Sequence, residues 1–383
     1  MRRLVVPTLA LVSAFFLGAI LIVITDFEHL QNVGTDPVGA IGGAIEVVLR
    51  GYVAMFSRAI GDPARIVTAV QSGSERDIAS AIRPLTEALL FSTPLIFLSL
   101  AIGVAFHAGL FNLGSDGQFL MGGLGATLGA LALDGLLPAP LVLVGALVSG
   151  TLFGAAYGFV PGLLKAGTGA HEVITTLMLN TIAFQIVLYA GRGGALSRPL
   201  SSIATVPRII DMPTLRLDWG FVAALVVAAV VSFVLFRSGV GFELRTTGFS
   251  RTAAHYAGMR PGRATVMAMS VSGGLAGMGG AFLALGPAGS LSGSGAAFVP
   301  LALALLGGLR PSGIVLAALL YGALNNGAKG MVIETGVPLD LLVVVIALAV
   351  MFVAAPGLTR SIWHVGAPRQ RDADDREALA SAA

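Results

Sequence analysis

Apolar residues along this chain come in long unbroken runs, not with the one-sided period of a soluble helix or strand. A helix needs ~20 apolar residues to cross ~30 Å of hydrocarbon. Runs of that kind fall at about 5–25, 85–105, 118–134, 141–164, 173–191, 219–236, 264–285 and 338–355. Two more, 298–309 and 312–328, flank Arg310-Pro311-Ser312-Gly313, and the first is short enough for a half-helix or a tilted span. The count is about ten. The pattern predicts an all-α, polytopic membrane helical bundle with interrupted helices. Residues 1–84 read as a first span followed by a long, partly amphipathic external insertion. Residues 85–356 read as the core, and 357–383 as a polar cytoplasmic tail. The first run, Val5 to Thr25, follows Arg2 and Arg3 like a signal peptide, but it ends at Asp26 and Phe27 without a small-x-small cleavage site. It reads as a retained span.

Lys and Arg set the orientation. With Met1 inside, ten spans return the C-terminus inside. The loop 237–263, with Arg237, Arg245, Arg251, Arg260 and Arg263, then faces the cytoplasm. Lys165, Arg310 and the tail residues Arg360, Arg369, Arg371 and Arg376 fall on the same side. One loop disagrees: 192–217 carries Arg192, Arg198, Arg208 and Arg216 and lands outside, outvoted by the rest. Within the spans, Gly150, Gly154 and Gly158 repeat every fourth residue, as do Gly273, Gly277 and Ala281. That spacing predicts close helix crossings. A Gly/Ser loop, Gly289 to Gly295, is placed outside.

Composition supports the membrane reading and removes several functions. Of 383 residues, 56% are hydrophobic and only 11% charged, whereas a soluble domain carries roughly 25% charged residues. There is no cysteine, which rules out disulfides, thiolate metal sites and cysteine nucleophiles. The net charge of +3 is scattered over loops, so nothing resembles a nucleic-acid patch. Glu87 and Asp340 sit near span ends, and no ionisable residue lies in the middle of a clear span. Ion-coupled carriers and intramembrane enzymes need such groups. No G-x-x-x-x-G-K-[ST] is present, so no P-loop binds ATP here. A transporter of this kind takes its energy from a partner.

Three polar breaks interrupt the apolar pattern. The first is Gly109-Leu110-Phe111-Asn112-Leu113-Gly114-Ser115-Asp116-Gly117-Gln118. Irregular backbone at membrane depth survives where it lines a cavity or is buried in protein. Asn112, Ser115, Asp116 and Gln118 would then face a solute. The alternative is a short cytoplasmic turn, with Ser115 or Asp116 capping the next helix. The second is Glu172, Thr176 and Asn180, four residues apart on one helix face with Thr175 beside them. This stripe faces a cavity or serves as hydrogen-bonding glue between helices. His171 with Glu172 has no further ligands near it, so no metal site is expected. The third is the loop from Gly241 to Met259. Ser250 is placed to cap a short helix through Ala253, Ala254 and Tyr256, with Gly258 as its stop. Such a helix docks into a groove on another protein, or lies at the headgroups.

In this order the three stretches resemble the permeases of ABC importers for nucleosides and simple sugars, within the larger superfamily that includes branched-chain amino-acid permeases. Phe106-His107-Ala108-Gly109-Leu110-Phe111-Asn112-Leu113-Gly114 with Gly117-Gln118 is similar to F-R-A-G-L-F-N-I-G-x-E-G-Q, with His107 for Arg and Asp116 for Glu. Glu172 to Thr176 with Met178-Leu179-Asn180 is similar to N-E-V-I-x-T-x-M-L-N, with His171 for Asn. Glu243-Leu244-Arg245, Gly248, Ala253-Ala254 and Tyr256-Ala257-Gly258 are similar to E-x-R-A-x-G-x-N-x-x-A-A-x-Y-A-G. Ala302 to Gly308 followed by Pro311-Ser312-Gly313 is similar to A-V-A-L-L-G-x-x-x-P-x-G. The resemblance covers roughly 80–356. The added segment 26–84 resembles the longer of the paired permeases in guanosine-type systems.

The resemblance implies a heteromeric importer of the bacterial inner membrane with both termini cytoplasmic. A second homologous permease completes the pathway. A cytoplasmic ABC ATPase holds the ATP and Mg, and a periplasmic or lipoprotein solute-binding protein delivers the solute. This chain itself holds no cofactor and catalyses nothing. Glu243, Arg245, Gly248, Ala253, Ala254, Tyr256 and Gly258 would couple to the ATPase, and the polar breaks would line the path. A simple-sugar or branched-chain amino-acid permease is the alternative on the same fold.

Overall fold

The computed structural model describes residues 2–25, 31, 36–192, 203–210, 212, 214–287 and 298–364. The Gly289 to Gly295 loop, Arg198 and the tail arginines Arg369, Arg371 and Arg376 lie outside the described residues. Fifteen helices account for almost all of it: α1 Arg2–Thr25, α2 Pro37–Ile60, α3 Pro63–Ser72, α4 Glu75–His107, α5 Ser115–Leu133, α6 Ala139–Thr168, α7 Glu172–Arg192, α8 Trp219–Arg237, α9 Gly239–Phe249, α10 Arg251–Tyr256, α11 Pro261–Leu285, α12 Phe298–Leu306, α13 Pro311–Thr335, α14 Leu339–Ala354 and α15 Pro356–Ile362. An all-α membrane bundle is what the apolar runs required.

Among the described residues, seven helices are long and apolar enough to cross a membrane by length and composition: α1, α2, α4, α6, α7, α8 and α11. Helix α2 is the addition to the sequence reading, which left it inside the 26–84 insertion. Its Glu46–Arg50 ion pair stands on the exposed surface of the helix. Helices α5 and α13 fall outside the seven because serines, glycines and amides dilute their apolarity. In α5 most of these small and polar residues are covered by neighbouring helices. Helix α12 has nine residues and rises only about 13 Å. Its described residues turn into α13 at Gly307 to Arg310.

The chain divides into two compact units. One comprises Met1–Val53 with Met331–Ala383. Here α1 lies on α14, with no room at Gly18 for a side chain beside Val345. Trp363 Nε1 donates to Ser13 Oγ at 2.8 Å.

The other unit, Ala54–Gly330, holds all three polar breaks. Its pillar is α4, 33 residues long. From Leu95 to Ala105 every residue is buried, so the helix is apolar all round, as a core helix must be. Helices α6 and α11 cross at the glycines that the spacing singled out. A Cβ on Gly154 would stand 2.6 Å from the Cα of Gly277 and 2.9 Å from its nitrogen. A Cβ on Gly158 would stand 3.0 Å from the Cα of Gly273. Backbones this close gain dispersion contacts that larger residues would hold apart.

In the first half of α4, Arg216 grips Glu87 with a fork, Nε to Oε1 at 3.0 Å and an Nη to Oε2 at 2.7 Å. The carboxylate pair holds the guanidinium above its ordinary pKa. One of the arginines that spoke against the assigned orientation is thus neutralised locally. Asp218 beside it caps α8, accepting from the Gly220 N–H at 2.8 Å. Burial pushes its carboxyl up to about 6, against the pull of that N–H.

Candidate functional site

The first break is a buried, cross-braced turn between α4 and α5. Helix α4 ends at His107, and Gly109 takes φ +72° to reverse the chain. Helix α5 starts at Ser115 with Gly114 as N-cap and no side-chain cap. Neither Ser115 nor Asp116 plays the capping role. Asn112 organises the turn instead: its Oδ1 accepts from the Gly114 N–H at 3.0 Å. Asn112 and Gln118 pair amide to amide, at 2.7 and 3.2 Å. Asn112 Nδ2 also donates to Ser272 Oγ at 2.7 Å, and Ser272 donates on to Ala101 O at 2.6 Å. All three side chains are buried. Buried polar groups remain stable only when satisfied in this way. Ser115 Oγ is fully buried with no hydrogen-bond partner among the described residues. Asp116 is half-buried on the first turn of α5.

The second break braces the first. Asn180 donates to Leu113 O at 2.7 Å and accepts from the Gly117 N–H at 2.8 Å. It replaces the backbone partners that the broken helix lacks. Thr176 is fully buried and its hydroxyl returns to Glu172 O at 2.7 Å. Thr175 is half-buried and bonds Glu172 O at 3.0 Å. Glu172 meets Lys165 Nζ at 2.8 Å across the α6–α7 turn. Asn112, Gln118 and Ser272 therefore form one hydrogen-bonded group, Asn180 braces the same turn through the backbone of Leu113 and Gly117, and the Thr176 hydroxyl bonds within its own helix. Ser272 and Lys165 were missed by the sequence reading. Ser272 hides in a small-residue run far along the chain, and Lys165 reads simply as a basic residue at a helix end.

The third break is a helix–turn–helix on the surface. Ser250 caps α10, accepting from the Ala253 N–H at 3.2 Å, and Gly258 ends it at φ +80°. Ala254 is buried, while Ala253 is exposed and Tyr256 almost fully so. Phe249 and Phe242 are exposed beside it. Glu243 is half-exposed on α9, and Arg245 lies over the Phe236 ring, 5.4 Å from its centroid. Arg251 reaches back to Thr265 Oγ1 at 2.7 Å. Gly248 faces inward, onto the turn of the first break: a Cβ on Gly109 would stand 3.0 Å from the Cα of Gly248. The structure therefore joins the third break to the first by backbone contact, which nothing in the sequence spacing announced.

A bundle of apolar helices, pinned at a buried polar break and touching an exposed aromatic loop through that break, is the build of a membrane permease. Residues 85–355 match the family described as the permease component of the branched-chain amino acid transport system, and the chain belongs to that family. It is 37% identical over 277 residues to the guanosine ABC transporter permease protein NupP of Bacillus subtilis, covering 69% of this chain and 78% of that one. It is 30% identical over 376 residues to the nucleoside ABC transporter permease protein NupB of Lactococcus lactis, covering 92% and 91%. The glucose ABC transporter permease protein TsgB13 of Haloferax volcanii is 29% identical over 316 residues, covering 78% and 82%.

Proposed function

We propose that this chain is the permease subunit of an ABC importer that carries nucleosides across the bacterial inner membrane. The observation that carries this reading is the similarity to a nucleoside permease over 92% of this chain, more of it than the family match of residues 85–355 covers. A second homologous permease completes the pathway, as paired permeases such as NupP and NupQ of Bacillus subtilis suggest. A cytoplasmic ABC ATPase binds ATP and Mg, and a periplasmic or lipid-anchored protein delivers the solute. Both termini lie in the cytoplasm. Residues 237–263 form the coupling loop.

Phe249 and Tyr256, exposed at the ends of α9 and α10, are the side chains that dock on the ATPase. When ATP closes the ATPase, the loop moves. Gly248 then presses on the turn at Gly109, and α4 and α5 tilt together because the Asn112 group holds them. Such a bundle switches between two packings, and ATP selects one of them. A sugar permease is the second reading, favoured by the similarity to the Haloferax glucose permease. Uptake of labelled guanosine, adenosine, uridine, ribose and leucine, with and without the gene, separates them. Loss of nucleoside uptake alone supports the proposal. Loss of ribose or leucine uptake with nucleosides unchanged overturns the substrate and keeps the architecture.

A further inference from the structure

Helix α7 is the least covered of the spans: 11% of it is buried, against 72% of α4. Its buried face is marked by Thr176 and Ala183, both with no exposure. Thr181 and Gln185 stand four residues apart near the centre of the opposite face, and both are exposed. Tyr189 continues that face one turn on, 81% exposed. Neighbouring spans show what a lipid-facing surface looks like in this protein. Every exposed residue of α6 from Leu141 to Leu164 is apolar, and so is every exposed residue of α8 from Trp219 to Phe236. A glutamine amide facing hydrocarbon in mid-span would have four hydrogen-bonding sites and no partner for them. Helix α7 therefore does not turn this face to lipid. Thr181, Ile182, Gln185, Ile186 and Tyr189, all on α7, border an open surface groove of about 360 Å³, within the size range of ligand pockets, ~300–1,000 Å³.

We infer that the Thr181–Gln185–Tyr189 face of α7 is a wall of the solute pathway, and that it contacts the passing nucleoside. The amide of Gln185 offers both donors and an acceptor, which suits ribose hydroxyls and the edge of a base. The hydroxyl of Thr181 adds one further donor and acceptor. The ring of Tyr189 offers a flat face on which a base stacks without a fixed hydrogen-bond pattern. None of the three is tied into the buried network around Asn112, so each is free to exchange partners as the solute moves. The ligand class rests on the nucleoside reading above, whereas the wall rests on α7 alone.

The chain has no cysteine, so single cysteines report without background. Thr181→Cys and Gln185→Cys are compared with Val226→Cys and Val230→Cys on α8. Each sits in the complete importer in membrane vesicles, at equal recovery, and is treated with a charged, membrane-impermeant thiosulfonate. The thiolate that reacts forms only where water reaches it, so the α7 variants are expected to label about ten-fold faster than the α8 controls. Guanosine or uridine is expected to slow that labelling several-fold. Labelling of Gln185→Cys no faster than Val230→Cys overturns the wall. Fast labelling that guanosine, uridine, ribose and leucine all leave unchanged overturns the contact with solute. Labelling slowed by ribose or leucine and not by nucleosides upholds the wall and overturns the nucleoside reading instead.

Discussion

Gly248 lies backbone to backbone against Gly109: a Cβ on Gly248 would stand 2.7 Å from the amide nitrogen of Gly109, and closer still to the carbonyl oxygen of His107. The contact ties α9 to the turn that ends α4. Replacing Gly248 with valine is expected to separate the two. Transport falls at least ~10-fold, the equivalent of about 1.4 kcal/mol in coupling, while ATP hydrolysis by the complex persists. Parallel assays of uptake and phosphate release check this. Equal loss of both would place Gly248 in the docking surface itself.

Gly258 presents the opposite case. It takes φ +80° with nothing within 4 Å of an added Cβ. A side chain there costs about 1–2 kcal/mol of left-handed strain and displaces nothing inside the protein. Gly258→Arg is expected to insert in the membrane at normal levels and to abolish transport, because under the proposed docking of α10 on the ATPase the new side chain would stand in the way. Membrane fractionation with uptake checks both halves. Normal transport would remove the docking assignment of α10.

Asn180 is braced on both sides of the first break, to Leu113 O and the Gly117 N–H. Asn180→Leu leaves both groups buried without partners, at about 1–3 kcal/mol each. Loss of folded protein, or a lower thermal midpoint in detergent, is therefore expected along with lost uptake. Unchanged stability with lost uptake would instead return Asn180 to the solute path.

Asp218 is 4% exposed, and its pKa rises from 3.8 to about 6 by burial. The native state then binds more protons than the unfolded chain between those values, so stability falls as pH rises through that window. Below 3.8 both states are protonated and the burial penalty is absent. Above about 6 it is fully present, at roughly 3 kcal/mol. The thermal midpoint in detergent is expected to fall between pH 5 and pH 7 by more than it does in Asp218→Asn. That variant keeps a good N-cap and carries no charge. Identical pH profiles for the two proteins would contradict the assignment.

Gly154 leaves no room for a side chain between α6 and α11. Gly154→Leu is expected to destabilise the bundle by more than the usual ~1–3 kcal/mol of overpacking, because the obstructing atoms are backbone. Yield of monodisperse protein checks it. The same substitution at Gly167, with nothing within 4 Å, should be tolerated.

Much of this was legible in the sequence because membranes impose simple rules. Span lengths follow from hydrocarbon thickness, and the α6–α11 crossing was written in the spacing of Gly150, Gly154, Gly158, Gly273 and Gly277. Ser250 and Gly258 bracketed α10 by local backbone chemistry alone. What escaped depended on contacts between distant residues. Asn112 finds Ser272 only because α4, α5 and α11 meet. Gly248 reads as one loop glycine until the fold sets it on Gly109. Thr181 and Gln185 escaped for another reason: polarity along a helix does not reveal which face its neighbours cover. The stripe of Glu172, Thr176 and Asn180 could be read as a lining or as glue between helices, and Asn180 spends its amide on the backbone of the first break.

The most direct test is uptake by the complex purified on a tag at this chain, reconstituted in liposomes with its binding protein. Guanosine accumulation that requires ATP, and persists when ion gradients are collapsed, is the result the account predicts. Accumulation that follows an ion gradient without ATP, or that serves leucine or ribose and no nucleoside, would contradict it.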